Sequence, residues 1–101
     1  MLIYNITFNV EDPVRAQWMD FVRDELIPRM TGTGLLTHPQ LMQLMRAEPQ
    51  GTSFALQFRA EDMRTLRDFL QNHWPAIQDL IRERFGERAV YFPSTLKILD
   101  L

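Results

Sequence analysis

From Leu2 to Val10 apolar and polar positions alternate, with Leu2, Tyr4, Ile6, Phe8 and Val10 on one parity and Ile3, Asn5, Thr7 and Asn9 on the other. A period of two predicts a strand that buries the first set. Asp12 then reads as a helix N-cap, and Pro13 stands at the first helical position, where a missing N–H costs nothing. Val14, Trp18, Phe21, Val22 and Leu26 recur at helical spacing and form the inner stripe. Pro28 biases Ile27 away from helical angles, so the helix is expected to end there, before the turn Thr31-Gly32-Thr33-Gly34. A second strand is expected from about Pro39 to Ala47, where a leading proline suits a sheet edge, followed by a hairpin turn at Glu48-Pro49-Gln50-Gly51. The third strand runs Thr52 to Arg59. A second helix spans roughly Asp62 to Phe85, with Met63, Leu66, Leu70, Trp74, Ile77, Leu80 and Ile81 inward, a kink or split at Pro75, and Gly86 as its stop. The last strand, about Ala89 to Leu99, contains Pro93, which argues for an edge or a bulge.

The order is strand, helix, strand, twice over, and the junction Phe8-Asn9-Val10-Glu11-Asp12 recurs as Phe58-Arg59-Ala60-Glu61-Asp62. This predicts an α+β fold, a ferredoxin-like βαββαβ sandwich with an antiparallel four-stranded sheet, as one domain over residues 1–101. The first and third strands each keep a polar parity and are expected to be neighbours at the sheet centre. The face away from the helices then carries Ile3, Asn5, Thr7, Asn9, Ser53, Ala55, Gln57 and Arg59, joined by Leu41, Gln43 and Met45 from the second strand. That mixture is too apolar for a freely solvated face and too polar for a dry core, and apolar residues on such a face mark a partner surface.

Composition narrows the function classes. The chain has 101 residues, 46% of them hydrophobic, with a formal net charge of -2. No cationic excess exists to neutralise a run of phosphates, so nucleic acid is not an expected partner. The absence of Cys excludes disulfides, thiolate metal sites, iron–sulfur clusters and Cys nucleophiles. The start of the chain lacks a basic leader, and no run of 18 apolar residues occurs. A soluble cytoplasmic protein with no membrane partner is the expectation.

Particular residues carry a family resemblance: Tyr4-Asn5-Ile6-Thr7 with Asn9-Val10, Trp18, Ile27-Pro28, Gly32-Thr33-Gly34, Gly51-Thr52-Ser53-Phe54 and Arg84-Phe85-Gly86. Together they resemble an uncharacterised bacterial family of about one hundred residues, a domain of unknown function, over nearly the whole chain. The resemblance implies a ferredoxin-like domain of the dimeric α+β barrel type, in which two sheets pack face to face. It implies no activity and no catalytic residues. Members of that family often carry a His just before the Ile-Pro step, where Leu26 stands here.

No side-chain constellation points to chemistry strongly. His38 and His73 lack metal-ligand spacing, so no metal site is expected. Asp20, Asp24 and Glu25 read as a solvated helix face, and Arg82, Arg84 and Arg88 as complements to a helix C-terminus. RNA-recognition modules share the strand order, but Ser53 and Ala55 stand where their stacking rings belong. An acylphosphatase would cradle phosphate after the first strand, where Glu11 and Asp12 repel it. The expectation is therefore a homodimer with no cofactor, non-catalytic or binding a small molecule through the outer sheet face, where Asn5, Thr7, Asn9, Gln43, Gln57 and Arg59 supply the polar groups. The alternative is a cofactor-independent oxygenase or isomerase of the dimeric α+β barrel type, with His38 and Tyr91 as weak catalytic candidates.

Overall fold

In the computed structural model, which describes residues 1–46 and 48–101, the elements are β1 (Leu2–Val10), α1 (Arg15–Phe21), α2 (Ile27–Thr31), β2 (Thr37–Gln43), β3 (Thr52–Ala60), α3 (Met63–Asn72), α4 (Trp74–Phe85) and β4 (Ala89–Lys97). The strands form one antiparallel sheet in the order β2-β3-β1-β4, and β1 pairs along its whole length with both β3 and β4. The helices cover one face. Against it lie Tyr4, Ile6, Phe8 and Val10 from β1, Phe54, Leu56 and Phe58 from β3, and the buried stripe Val14, Trp18, Phe21, Val22 and Leu26. This is the ferredoxin-like α+β sandwich that the alternation predicts.

Aromatic rings lock the two layers. Trp18 is fully buried and packs against Phe8 and Phe54, with ring centroids 5.0 and 4.7 Å away. Tyr4 meets Trp74 edge-on at 5.6 Å and Phe69 at 5.9 Å. Its hydroxyl is buried with no hydrogen-bond partner among the described residues, and burial, with Tyr91 adding to it, pushes its phenol pKa upward.

Local chemistry departs from the sequence reading at several points. The first helix does not stop at Pro28. Ile27 keeps helical angles and donates to the Val22 carbonyl five residues back, so the segment Val22–Leu26 is a π turn that links α1 to α2. The widened turn lets the proline ring clear the preceding carbonyls, and the helix runs on to Thr31. Asp12 does not cap it. A 3₁₀ turn at Asp12–Val14 precedes α1, and Asp12 instead accepts from the Thr52 hydroxyl at 3.4 Å. Asp62 does cap α3, accepting the Thr65 N–H at 2.8 Å. Pro75 splits the second helical region as expected, with His73 between α3 and α4. Met63, expected inward, is exposed on the first turn, and Phe69 takes a fully buried place in the core.

The sheet edges also differ in detail. β2 begins at Thr37 and ends at Gln43, and the Ala47 end of the expected strand lies outside the described residues. β4 closes at Lys97 rather than Leu99. Each edge strand holds a proline, Pro39 in β2 and Pro93 in β4. Gly51, which opens β3, has φ +72°, and a Cβ there would sit 2.6 Å from the Val10 carbonyl oxygen, so only glycine fits.

Trp18→Ala will lower the unfolding free energy by about 3–5 kcal/mol in denaturant melts, because it empties the contact between α1 and the sheet. Asp62→Ala will lower the melting temperature by less. The bond from Thr65 holds the Asp62 carboxyl below the usual carboxylate range, so its contribution is fully present above that range and is lost as pH falls through the lowered value. Asp62→Asn, which keeps the acceptor, will melt with a flatter acid dependence. Tyr4→Phe will stabilise the protein by on the order of 1 kcal/mol, since it removes an unpaired buried hydroxyl; a destabilised variant would show that the hydroxyl is bonded.

Candidate functional site

The register of the three ladders sets the outer face out in rows. Thr37, Arg59, Ile3 and Leu96 lie across one row, Gln40, Gln57, Asn5 and Ser94 across the next, and Met42, Ala55, Thr7 and Phe92 across the third. In a fourth, Asn9 lies opposite both Ser53 and Val90, and Leu44 joins by donating its N–H to the Ser53 carbonyl at 2.9 Å.

The second row is a hydrogen-bonded amide chain. Gln57 donates from Nε2 to Asn5 Oδ1 at 3.1 Å, and Asn5 donates from Nδ2 to the Thr7 hydroxyl at 3.1 Å and to the Ser94 hydroxyl at 3.3 Å. Asn5 is only 8% exposed and is the one buried polar residue among those described. Both of its amide hydrogens are engaged and its oxygen accepts, so its orientation is fixed from three sides. Among the described residues, nothing pairs with the Gln57 amide oxygen or its second N–H, which leaves them to meet another molecule. Asn9 is tied separately, donating to the Ser53 hydroxyl at 3.2 Å and to the Gln50 carbonyl at 3.4 Å.

Around that polar row the face is apolar and open. Phe92 stands 62% exposed on β4, with Val90 and Leu96 exposed beside it. Toward β2, small residues leave a hollow of about 340 Å³ lined by Thr7, Met42, Leu44, Ser53 and Ala55, to which Gln43 and Phe54 also contribute atoms. A protruding ring and a hollow thus share one face, on opposite sides of its centre.

The predicted face residues meet different fates. Asn5, Thr7 and Gln57 come into one network, Asn9 joins Ser53, and Arg59 lies exposed beside Ile3. Gln43 does not belong with them: its ladder partner is Phe54, on the helix side, and so is that of Leu41, which is Leu56. The cause is a register shift between Thr37 and Gln40, which passes the outward parity to Gln40 and Met42. Met45 lies beyond the strand. The β4 contribution, Val90, Phe92, Ser94 and Leu96, was not anticipated. Its signal was available in the antiparallel pairing with β1, because once Ala89 stands opposite Val10 the parity of the whole strand follows.

The two catalytic candidates stay apart. His38 sits in the β2 irregularity with φ 53°, exposed, its Nδ1 2.9 Å from the Thr37 hydroxyl. Tyr91 lies on the other edge strand and on the other face, with its ring 5.3 Å from Phe8 and 6.0 Å from Trp74. The acidic stretch of the first helix is occupied by ion pairs: Glu25 holds Arg84 through two bonds of 2.6 Å, and Arg23 bonds Asp20 and Asp24. Arg84 also lies 5.6 Å over the Phe21 ring, which ties the π turn to α4. Among the described residues no group of three His, Cys, Asp or Glu converges to hold a metal ion, and no helix is long and apolar enough to cross a membrane.

Three solved structures share this architecture. HapK from Hahella chejuensis superposes with a TM-score of 0.71 at 7% sequence identity, covering 98% of this chain and 93% of that one. A proposed antibiotic biosynthesis monooxygenase from Deinococcus radiodurans gives 0.68 at 8% identity, covering 100% and 95%. A dimeric ferredoxin-like protein from an uncultured marine organism gives 0.64 at 12% identity, covering 99% and 97%. At these identities the likeness is one of fold. No curated protein sequence matches the chain. Residues 1–99 match the family model described as "Domain of unknown function (DUF4286)", and the chain belongs to that family.

Proposed function

We propose that the protein works as a homodimer, one ferredoxin-like domain per copy, joined through the sheet face away from the helices, and that this face is non-catalytic. The observation that carries the reading is the row through Asn5 and Gln57, a fixed amide chain at the middle of an otherwise apolar open face. An exposed face of that kind in a single copy leaves apolar surface in water, and a second copy removes it. The marine protein of the same fold is dimeric, which supports a dimer here. A chain without Cys needs no oxidising compartment, which supports action in the cytoplasm.

A second reading is favoured by the hollow and by the fold shared with the proposed monooxygenase. In it the paired sheets enclose a compartment, the Gln57 amide orients a small, mostly apolar molecule, and the protein acts as a cofactor-independent oxygenase or isomerase. His38 and Tyr91, on opposite edges, give that chemistry no shared centre.

One double variant separates the two. In light scattering and sedimentation at micromolar concentration the unmodified chain is expected to be a dimer. Asn5→Ala with Gln57→Ala will weaken that dimer by on the order of 1–3 kcal/mol if the amides face a partner's buried polar groups. If the variant dimerises unchanged while a small molecule found by screening the unmodified protein no longer binds, the compartment reading takes over. A monomeric unmodified chain would remove the argument for either.

A further inference from the structure

The outer face is lopsided, and the lopsidedness selects among the dimers that face-to-face packing allows. In the third row Phe92 projects from β4 at one side, while the hollow lies toward β2 at the other, over Ala55 and Thr7. Two sheets facing each other can be related by a two-fold axis that lies between them, whose limiting directions run across the strands and along them. An axis across the strands stacks β4 on β4 and β2 on β2. Phe92 then lies over the partner's β4 and the hollow over the partner's β2 and β3, wherever the axis crosses, so no ring reaches a hollow and the contact area of the cavity walls is lost. An axis along the strands exchanges left and right, so the partner's β4 lies over β2 and each projecting ring faces a hollow.

We propose that the copies pack about a two-fold axis parallel to the strands, with Phe92 of each seated in the partner's hollow between Met42, Leu44 and Ala55. This rests on the sheet-to-sheet dimer proposed above and makes the hollow an anchor socket rather than a ligand compartment. The same axis lays β1 over the partner's β3, so the Asn5–Gln57 row crosses the same row of the other copy, and the free oxygen and N–H of Gln57 meet amide groups instead of apolar surface. The edges offer less, because Pro39 and Pro93 each lack an N–H and interrupt edge-to-edge strand addition.

The area suffices for a stable pair. Three strands of nine residues and one of seven, at roughly 3.3 Å per residue and about 4.8 Å spacing, make a face of roughly 540 Å². Two such faces cover about 1,100 Å² before side-chain relief is counted, which clears the ~1,000 Å² expected of a specific interface. The anchor is an aromatic residue seated in an apolar pocket, repeated on both sides of the axis, and aromatic residues in pockets carry a large share of the binding energy of an interface.

The cysteine-free chain makes the axis directly testable. Phe92→Cys and Met42→Cys chains are prepared separately, confirmed as dimers by light scattering, mixed to exchange subunits, and treated with a bis-maleimide of about 10 Å span, the distance between packed sheets. Covalent dimers are expected from the mixture and not from either chain alone, since like positions lie roughly 17 Å apart about this axis. Linkage of Phe92→Cys with itself overturns the inference in favour of the axis across the strands, and an unlinked mixture of dimers overturns it as well. Val90→Cys with Leu44→Cys, one row on, leaves Phe92 in place and repeats the test should either first variant misfold or lose the dimer. Phe92→Ala is expected to raise the dimer dissociation constant at least tenfold, and an unchanged constant would remove Phe92 as the anchor. If the unmodified chain is itself monomeric, the dimer reading fails rather than the choice of axis alone.

Discussion

A four-stranded sheet has two faces, and this chain supplies helices for only one of them. Every residue of β1 is committed by that fact, because the strand is central and pairs along its length on both sides. The even positions Tyr4, Ile6 and Phe8 build the core against Trp18, Phe69 and Trp74, and the odd positions Ile3, Asn5, Thr7 and Asn9 have nowhere to go but outward. A one-residue slip would exchange the two sets and bury Asn5 and Thr7 among aromatic rings without partners, so the core pins the register and the register composes the outer face. The hydrogen bonds that join Asn5 to Gln57, Thr7 and Ser94 exist because three strands arrive in register.

That chain of dependence explains what was readable in the sequence. The alternation in β1 and β3 announced both central strands and their shared polar side, and with it Asn5, Thr7 and Gln57 as neighbours. The helical stripe through Trp18 was equally plain. Legibility failed where two weak local signals competed or where a position was decided by geometry several residues away. Pro28 normally ends a helix, and only the π turn at Val22–Leu26 lets this one continue. Asp12 and Asp62 occupy matching places in the repeated junction, yet only Asp62 caps, because a 3₁₀ turn leads into α1 and leaves Asp12 to meet Thr52. Gln43 was placed on the wrong face by a strand irregularity that begins at His38, a residue in left-handed backbone that nothing in the pattern marks.

β4 shows a different kind of failure. Both of its parities carry an aromatic residue, Tyr91 on one and Phe92 on the other, so alternation alone assigns neither to the core. The tertiary pairing decides: Tyr91 falls opposite Phe8 and is partly covered by Trp74, and Phe92 falls opposite Thr7 and stands in solvent. The residue that dominates the outer surface is for that reason invisible to any reading that takes strands one at a time.

The polar row and the apolar rows around it do different work on that surface. Apolar rows supply contact area but little orientation, since a flat greasy face tolerates sliding by a row or a strand. The amide row does not tolerate it. In the proposed dimer a shift of one row would bring Gln57 against the partner's Ile3 or Thr7 instead of its Asn5, and against Ile3 its free oxygen and N–H would be stranded in a dry contact. Buried amides at one position of an apolar seam fix alignment in coiled coils at some expense in stability, and the same physics operates on a sheet. Asn5 is braced by Thr7 and Ser94 so that Gln57 is presented in one orientation, and in the dimer proposed above that bracing would give a patch able to associate in many ways one preferred alignment.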